Sequence, residues 1–156
     1  MASTKDNLNV LFEDNHIIII NKQSGDIVQG DKTGDTPLSD IVKTYIKDKY
    51  AKPGEVFLGV VHRLDRPTTG VVVFAKTSKA LERFNKMLRD KIVDKTYWAI
   101  VKNRPPKDGD TLVNFLKKNP KNNKSTVYKT ASEGSKKAVL HYKLIKSLDN
   151  YHFLLQ

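Results

Sequence analysis

Apolar positions along the chain fall in short blocks whose spacing switches between two and about 3.6 residues. "VLFEDNHIIIINKQSG" (Val10 to Gly25) opens with a short strand, Val10 to Phe12. Glu13, Asp14, Asn15 and His16 supply turn chemistry, and the β-branched run Ile17 to Ile20 predicts a second strand, buried on both faces. "PLSDIVKTYIKDKY" (Pro37 to Tyr50) carries Leu38, Ile41, Val42, Tyr45 and Ile46 at helical spacing. Thr36 before Pro37 predicts an N-cap followed by proline at the first helical position. "KPGE" breaks that pattern, and Val56 to Val61 and Val71 to Ala75 predict two strands. A second helix follows over Ser78 to Lys91, with Leu81, Phe84 and Leu88 on one face and Ser78 as its cap. Lys95 to Val101 alternates as a strand, and "KNRPPKDGD" is a loop. "LVNFLKKNPKNNKSTVYKT" holds a short apolar segment, a lysine- and asparagine-rich loop and a strand. "KKAVLHYKLIKS" and "YHFLLQ" predict two final strands around a turn at Asp149-Asn150.

Strands outnumber helices and short turns join neighbours, which predicts an α+β fold with a largely antiparallel sheet. The chain stops inside the apolar strand "YHFLLQ", so a fragment is expected. A terminal strand with an open edge would invite self-association with another chain.

Composition narrows the partner. Among 156 residues, 28 lysines and arginines against 17 aspartates and glutamates give a net charge of +11. Such a surplus favours a polyanion, and nucleic acid above an anionic membrane, because no basic amphipathic helix with a continuous apolar face is evident. The absence of cysteine excludes disulfides and thiolate metal sites. No apolar run approaches the ~18 residues that span a bilayer. "MASTKDNLNV" lacks the apolar stretch of a secretory signal, so residues 1–9 read as a disordered polar tail and the expected location is cytoplasmic.

The chemistry concentrates in "VVHRLDRPTTGVVVFAK" (Val60 to Lys76), where two apolar ends flank His62, Arg63, Asp65 and Arg66. Strand alternation sets Arg63 and Asp65 on one face and His62 and Leu64 on the other. A carboxylate between two arginines is favoured in its ionised form. It can then serve as nucleophile, general base, metal ligand or half of a structural ion pair, and residue types alone leave these open. No acidic cluster stands near enough in sequence for a metal site. A glycosidase reading needs a second carboxylate, and Glu55 and Glu82 sit in no persuasive context.

"HRLDRPTTG" resembles the His-Arg-Leu-Asp, two residues, Thr-Ser-Gly motif of the RluA-like family of RNA pseudouridine synthases, with Thr69 in place of the serine. "VLFEDNHIIIINKQSGDIVQ" is similar to the family's opening hairpin. "FAKTSKALERFNKMLRDKIVDKTYWAIV" is similar to the segment after the motif, and "KAVLHYKLI" to a later strand. The match runs in order over residues 10–156.

That resemblance implies an incomplete catalytic domain over residues 10–156, with a mainly antiparallel mixed sheet and flanking helices around a cleft. It implies isomerisation of a uridine in rRNA or tRNA, without metal or cofactor. Asp65 matches the catalytic aspartate, Arg63 the residue that enters the RNA stack as the target flips out, and Tyr97 the tyrosine lying against the target base. His62 and Leu64 are read as structural, and Thr68, Thr69 and Gly70 as shaping the turn. The family's later Gly-Arg, one residue, His-Gln-Ile-Arg motif, whose last arginine pairs with the aspartate, is expected beyond Gln156. Lys117, Lys118, Lys121 and Lys124, with Lys129, Lys136 and Lys137 nearby, read as a shared basic face for a phosphate backbone. The alternative is a non-catalytic RNA-binding module that keeps the fold and the charge.

Overall fold

A computed structural model describes residues 2–122, 124–148 and 151–155. The expected turn at Asp149-Asn150 lies outside these residues. The chain divides into two compact units, Met1–Val93 and Asp94–Gln156.

In the first unit, strands β1 (Val10–Glu13), β2 (Ile17–Lys22), β3 (Gly59–Val60) and β4 (Gly70–Ala75) form one sheet in the order β1-β2-β4-β3, all pairs antiparallel. Helix α1 spans Leu38–Lys49 and α2 spans Ser78–Arg89. The isoleucine run was expected to be buried on both faces. Instead β2 alternates, with Ile18, Ile20 and Lys22 fully buried and the residues between them half-buried. One face meets α1, whose Leu38, Val42 and Ile46 recur every four residues and join Ile18, Ile20, Val72 and Phe74 in a single cluster. Each such side chain stabilises the fold by about 1.5–3 kcal/mol on burial. A smaller cluster of Val61, Ala75 and Ala80, backed by Leu81, Phe84 and Leu88, docks α2.

Both helix starts differ from expectation. Pro37, not Thr36, is the N-cap of α1, and no side chain caps it. The Leu38 and Ser39 N–H groups donate instead to the Ile27 and Val28 carbonyls at 2.7 and 3.2 Å. Thr77, not Ser78, caps α2, its Oγ1 accepting from the Ala80 N–H at 3.1 Å. The strand expected over Val56 to Val61 pairs only at Gly59–Val60, because β4 ends at Ala75, opposite Gly59, and the Val73 N–H on the other side is taken by the His62 side chain. Residues 2–9, expected as a disordered tail, lie against this unit. Ser3 is buried, and its N–H and Oγ donate to Asp26 at 2.9 and 2.6 Å.

The second unit is a sheet of β5 (Trp98–Val101), β6 (Gly109–Lys118), β7 (Ser125–Tyr128), β8 (Lys136–Leu148) and β9 (Tyr151–Leu155). Its order is β5-β9-β8-β6-β7, again antiparallel throughout. The short apolar segment read at "LVNFLKK" is the long strand β6, since most of its length pairs with β8. The C-terminal strand was expected to leave an open edge for another chain. It does not: β9 pairs with β5 on one side and β8 on the other, so β5 and β7 form the edges.

Candidate functional site

The loop of residues 61–69 joins β3 to β4 and carries the charged motif. It is not a continued strand, yet exposure still alternates: His62 and Leu64 are half-buried, Arg63 and Asp65 exposed. Leu64 packs against the main core, and His62 Nε2 accepts the Val73 N–H at 3.2 Å. These two side chains anchor the loop inward, so their neighbours face solvent. The Thr68 N–H donates to the Asp65 carbonyl at 3.0 Å, closing a turn over Arg66 and Pro67. Gly70, at φ +130°, lets the chain enter β4 in a conformation that L side chains rarely adopt.

Lys22 holds this turn, and the motif gave no hint of it. Its side chain is among the largest that are fully buried in the described residues. The ammonium donates to the carbonyls of Gln23, Arg66 and Thr68 at 3.1, 3.1 and 2.7 Å. Three acceptors match the three hydrogens of an ammonium, which is what makes its burial tolerable. The Gly25 N–H adds a second bond to the Arg66 carbonyl at 2.9 Å. Burial pushes the Lys22 ammonium below its ordinary 10.5, while the carboxylates of Asp26 and Asp65 oppose that shift. A sequence signal for Lys22 existed: it lies in period with Ile18 and Ile20, on the face of β2 that points inward.

The arginines beside Asp65 do not pair with it. Arg66 reaches Asp35 Oδ2 at 2.6 Å and Thr33 Oγ1 at 3.0 Å, with Asp31 Oδ2 at 3.9 Å. Arg63 forms no ion pair or hydrogen bond among the described residues. The structural ion-pair reading of Arg63-Asp65-Arg66 is therefore not what the fold builds. Asp65 and Arg63 are instead presented side by side on a backbone fixed from beneath.

Tyr97 belongs to the second unit. It precedes β5 rather than lying in it, is half-buried, and lines a groove of about 660 Å³ with Lys95, Val139, His141 and Leu155. The four candidate phosphate-binding lysines surround the β6–β7 hairpin and are all exposed. Lys121 and Lys124 sit in its turn, their N–H groups donating to Asn119 and Asn122. Lys117 and Lys118 are adjacent on β6, so they point to opposite faces of the sheet rather than sharing one. Among the described residues no three His, Cys, Asp or Glu side chains are grouped to hold a metal ion. Nor is any helix of the described residues long and apolar enough to cross a membrane.

Residues 16–156 match the family described as RNA pseudouridylate synthase. Among curated relatives, an uncharacterised RNA pseudouridine synthase of Synechocystis is 31% identical over 148 residues, 94% of this chain and 45% of the relative. A ribosomal large subunit pseudouridine synthase C of Rickettsia felis is 34% identical over 149 residues, 94% of this chain and 46% of the relative. The chain thus spans slightly less than half the length of these relatives. Among solved structures, human RNA pseudouridylate synthase domain containing 4 superposes with a TM-score of 0.78 at 23% identity, over 94% of this chain and 57% of that one. Human RNA pseudouridylate synthase domain containing 1 gives 0.71 at 15% identity, over 99% and 60%. At those identities the likeness concerns the fold alone, an α+β arrangement shared with both.

Proposed function

This chain belongs to the RNA pseudouridylate synthase family, and we propose that the protein it represents isomerises a specific uridine of rRNA or tRNA to pseudouridine. Relatives named as ribosomal large subunit synthases favour rRNA. The observation that carries the reading is the Asp65 turn, where an exposed carboxylate stands next to an exposed arginine on a backbone clamped by a buried lysine.

In this reading Asp65 is the catalytic carboxylate. The N-glycosidic bond breaks, the uracil turns, and C5 is joined to C1′. The proton on C5 leaves and N1 gains one, so composition is unchanged and no redox partner is needed. Attack on C1′, addition to C6 and deprotonation at C2′ all use an ionised carboxylate beside the ribose. Clamping the turn matters because a misplacement of about 1 Å costs on the order of 10²-fold in rate. Arg63, with no ion pair or hydrogen bond to other described side chains, enters the stack as the target nucleotide flips. Flipping is required because the reacting atoms are inaccessible inside a stack. Tyr97 offers a flat π-face to the uracil. Lys117, Lys118, Lys121 and Lys124 meet phosphates, and their split across two faces fits a backbone wrapping the β6–β7 hairpin better than one lying along a single face.

The test is to incubate the full-length protein with rRNA and tRNA and map the alkali-resistant carbodiimide adducts that pseudouridine forms. Adducts at one site are expected. RNA binding with a steep salt dependence but no adduct would instead make the protein a non-catalytic RNA-binding module.

A further inference from the structure

The first unit carries a groove away from the Asp65 turn. Its volume is about 590 Å³, within the ~300–1,000 Å³ usual for ligand sites. Ile17, Phe84 and Met87 make an apolar floor, and Lys79 and Arg83 a cationic rim with His16 beside them; no carboxylate lines it. Lys79, Arg83 and Met87 are four residues apart on α2 and so form one row. Like charges at that spacing destabilise a helix by a few tenths of a kcal/mol. Among the described residues neither Lys79 nor Arg83 forms an ion pair that would offset this. An apolar floor with an uncompensated cationic rim suits a flat ring bearing a phosphate. Aromatic and thioether side chains accept the ring, and the cations accept the phosphate.

Sheet register places the groove relative to the candidate catalytic turn. Ile17 pairs with Ala75 at one end of β2, and Lys22 pairs with Gly70 at the other, beside the turn that Lys22 holds. Five residue steps at ~3.4 Å separate the two ends by about 17 Å. A stacked strand rises ~3.4 Å per nucleotide, so the same span covers about five nucleotides. We propose that this groove is a second RNA subsite, holding a nucleotide about five positions from the target uridine. Its base lies on Phe84 and Met87, and its phosphate between Lys79 and Arg83. The assignment rests on the proposed function for the identity of the polyanion.

The experiment compares full-length wild type, K79E/R83E and, as a control of equal charge change on α1, K43E/K47E, each first checked for an unchanged melting temperature. The milder K79Q/R83Q replaces the first pair if it melts early. RNA affinity is titrated against salt, and RNA with 4-thiouridine about five positions either side of the target is cross-linked. The groove variant is expected to bind several-fold more weakly than the control, with a log–log salt slope shallower by about 0.7, the value for one lost phosphate contact on a single strand. A cross-link is expected on the α2 peptide containing Phe84 and Met87. Slope and affinity equal to the control, with no cross-link to α2, overturn the subsite while wild-type turnover leaves the proposed function standing. Failure of the wild type to bind any RNA overturns both.

Discussion

The Lys22 ammonium donates to the Thr68 carbonyl at 2.7 Å, bridging 46 residues of chain from the end of β2 to the turn that carries Asp65. With its bonds to the Arg66 and Gln23 carbonyls, it links strand and turn through one buried charge. Lys22→Met keeps the volume but takes a hydrogen bond from each of three carbonyls; the Arg66 carbonyl keeps the Gly25 N–H and the Gln23 carbonyl the Asp26 N–H, while the Thr68 carbonyl loses its ammonium donor. Destabilisation of about 2–4 kcal/mol is expected in denaturant titration. Turnover should fall further than the unfolded fraction explains, with RNA affinity nearly kept. Equal losses in binding and turnover would show that the clamp does not act on Asp65.

A second prediction concerns acid stability. Glu13 is almost buried and accepts from Lys49 and Lys76, both at 2.7 Å, and from Tyr50 at 3.0 Å, tying β1 to α1 and the end of β4. Burial is the largest single influence and pushes its carboxyl up, but Lys49, Lys76 and Tyr50 together outweigh it and bring it down to about 2. The folded state therefore binds this proton less readily than the unfolded chain. The stabilisation, on the order of 2 kcal/mol, is full above the unfolded value of ~4.3 and is lost as pH falls through about 2. Glu13→Gln should lower stability at pH 7 and flatten the fall between pH 5 and 2. A parallel fall in variant and wild type would remove Glu13 from the account.

The helix starts give a contrast. Thr77→Ala removes the bond to the Ala80 N–H and should cost about 1 kcal/mol. Thr36→Ala should cost a few tenths at most, because carbonyls of Ile27 and Val28 already satisfy the start of α1. Thermal melts of the two variants decide it.

The sequence carried the elements better than their connections. Helical spacing at Leu38, Val42 and Ile46 located α1 because one face packs on a sheet and the pattern is local. Residue types at Thr36 and Ser78 named the wrong caps, since cap partners depend on which backbone passes nearby. The pairing of β9 with β5 joins segments far apart in the chain, so no local pattern marks the true sheet edges. Asp65 and Arg63 were singled out by their motif, and their roles are proposals. Lys22 carried one weak signal, its period with Ile18 and Ile20, but a lysine in isolation reads as solvated, and only the carbonyls that the fold brings to its ammonium make burial tolerable.

Tyr97 separates stacking from proton chemistry. Tyr97→Phe retains the ring and should turn over within a few-fold of wild type. Tyr97→Ala should lose about 1–3 kcal/mol of stacking, read in kcat/KM under single-turnover conditions. A large defect in the phenylalanine variant would assign the hydroxyl a role the present reading does not give it.

The central claim is that Asp65 performs the isomerisation, and Asp65→Asn tests it most directly because only the charge changes. Full-length wild type and variant are each given cellular rRNA and tRNA, and pseudouridine is counted alongside RNA affinity. The wild type should form pseudouridine at one site. The variant should bind the same RNA with similar affinity, while its turnover falls on the order of 10³-fold or more. Pseudouridine formed by the variant at an undiminished rate would contradict the account.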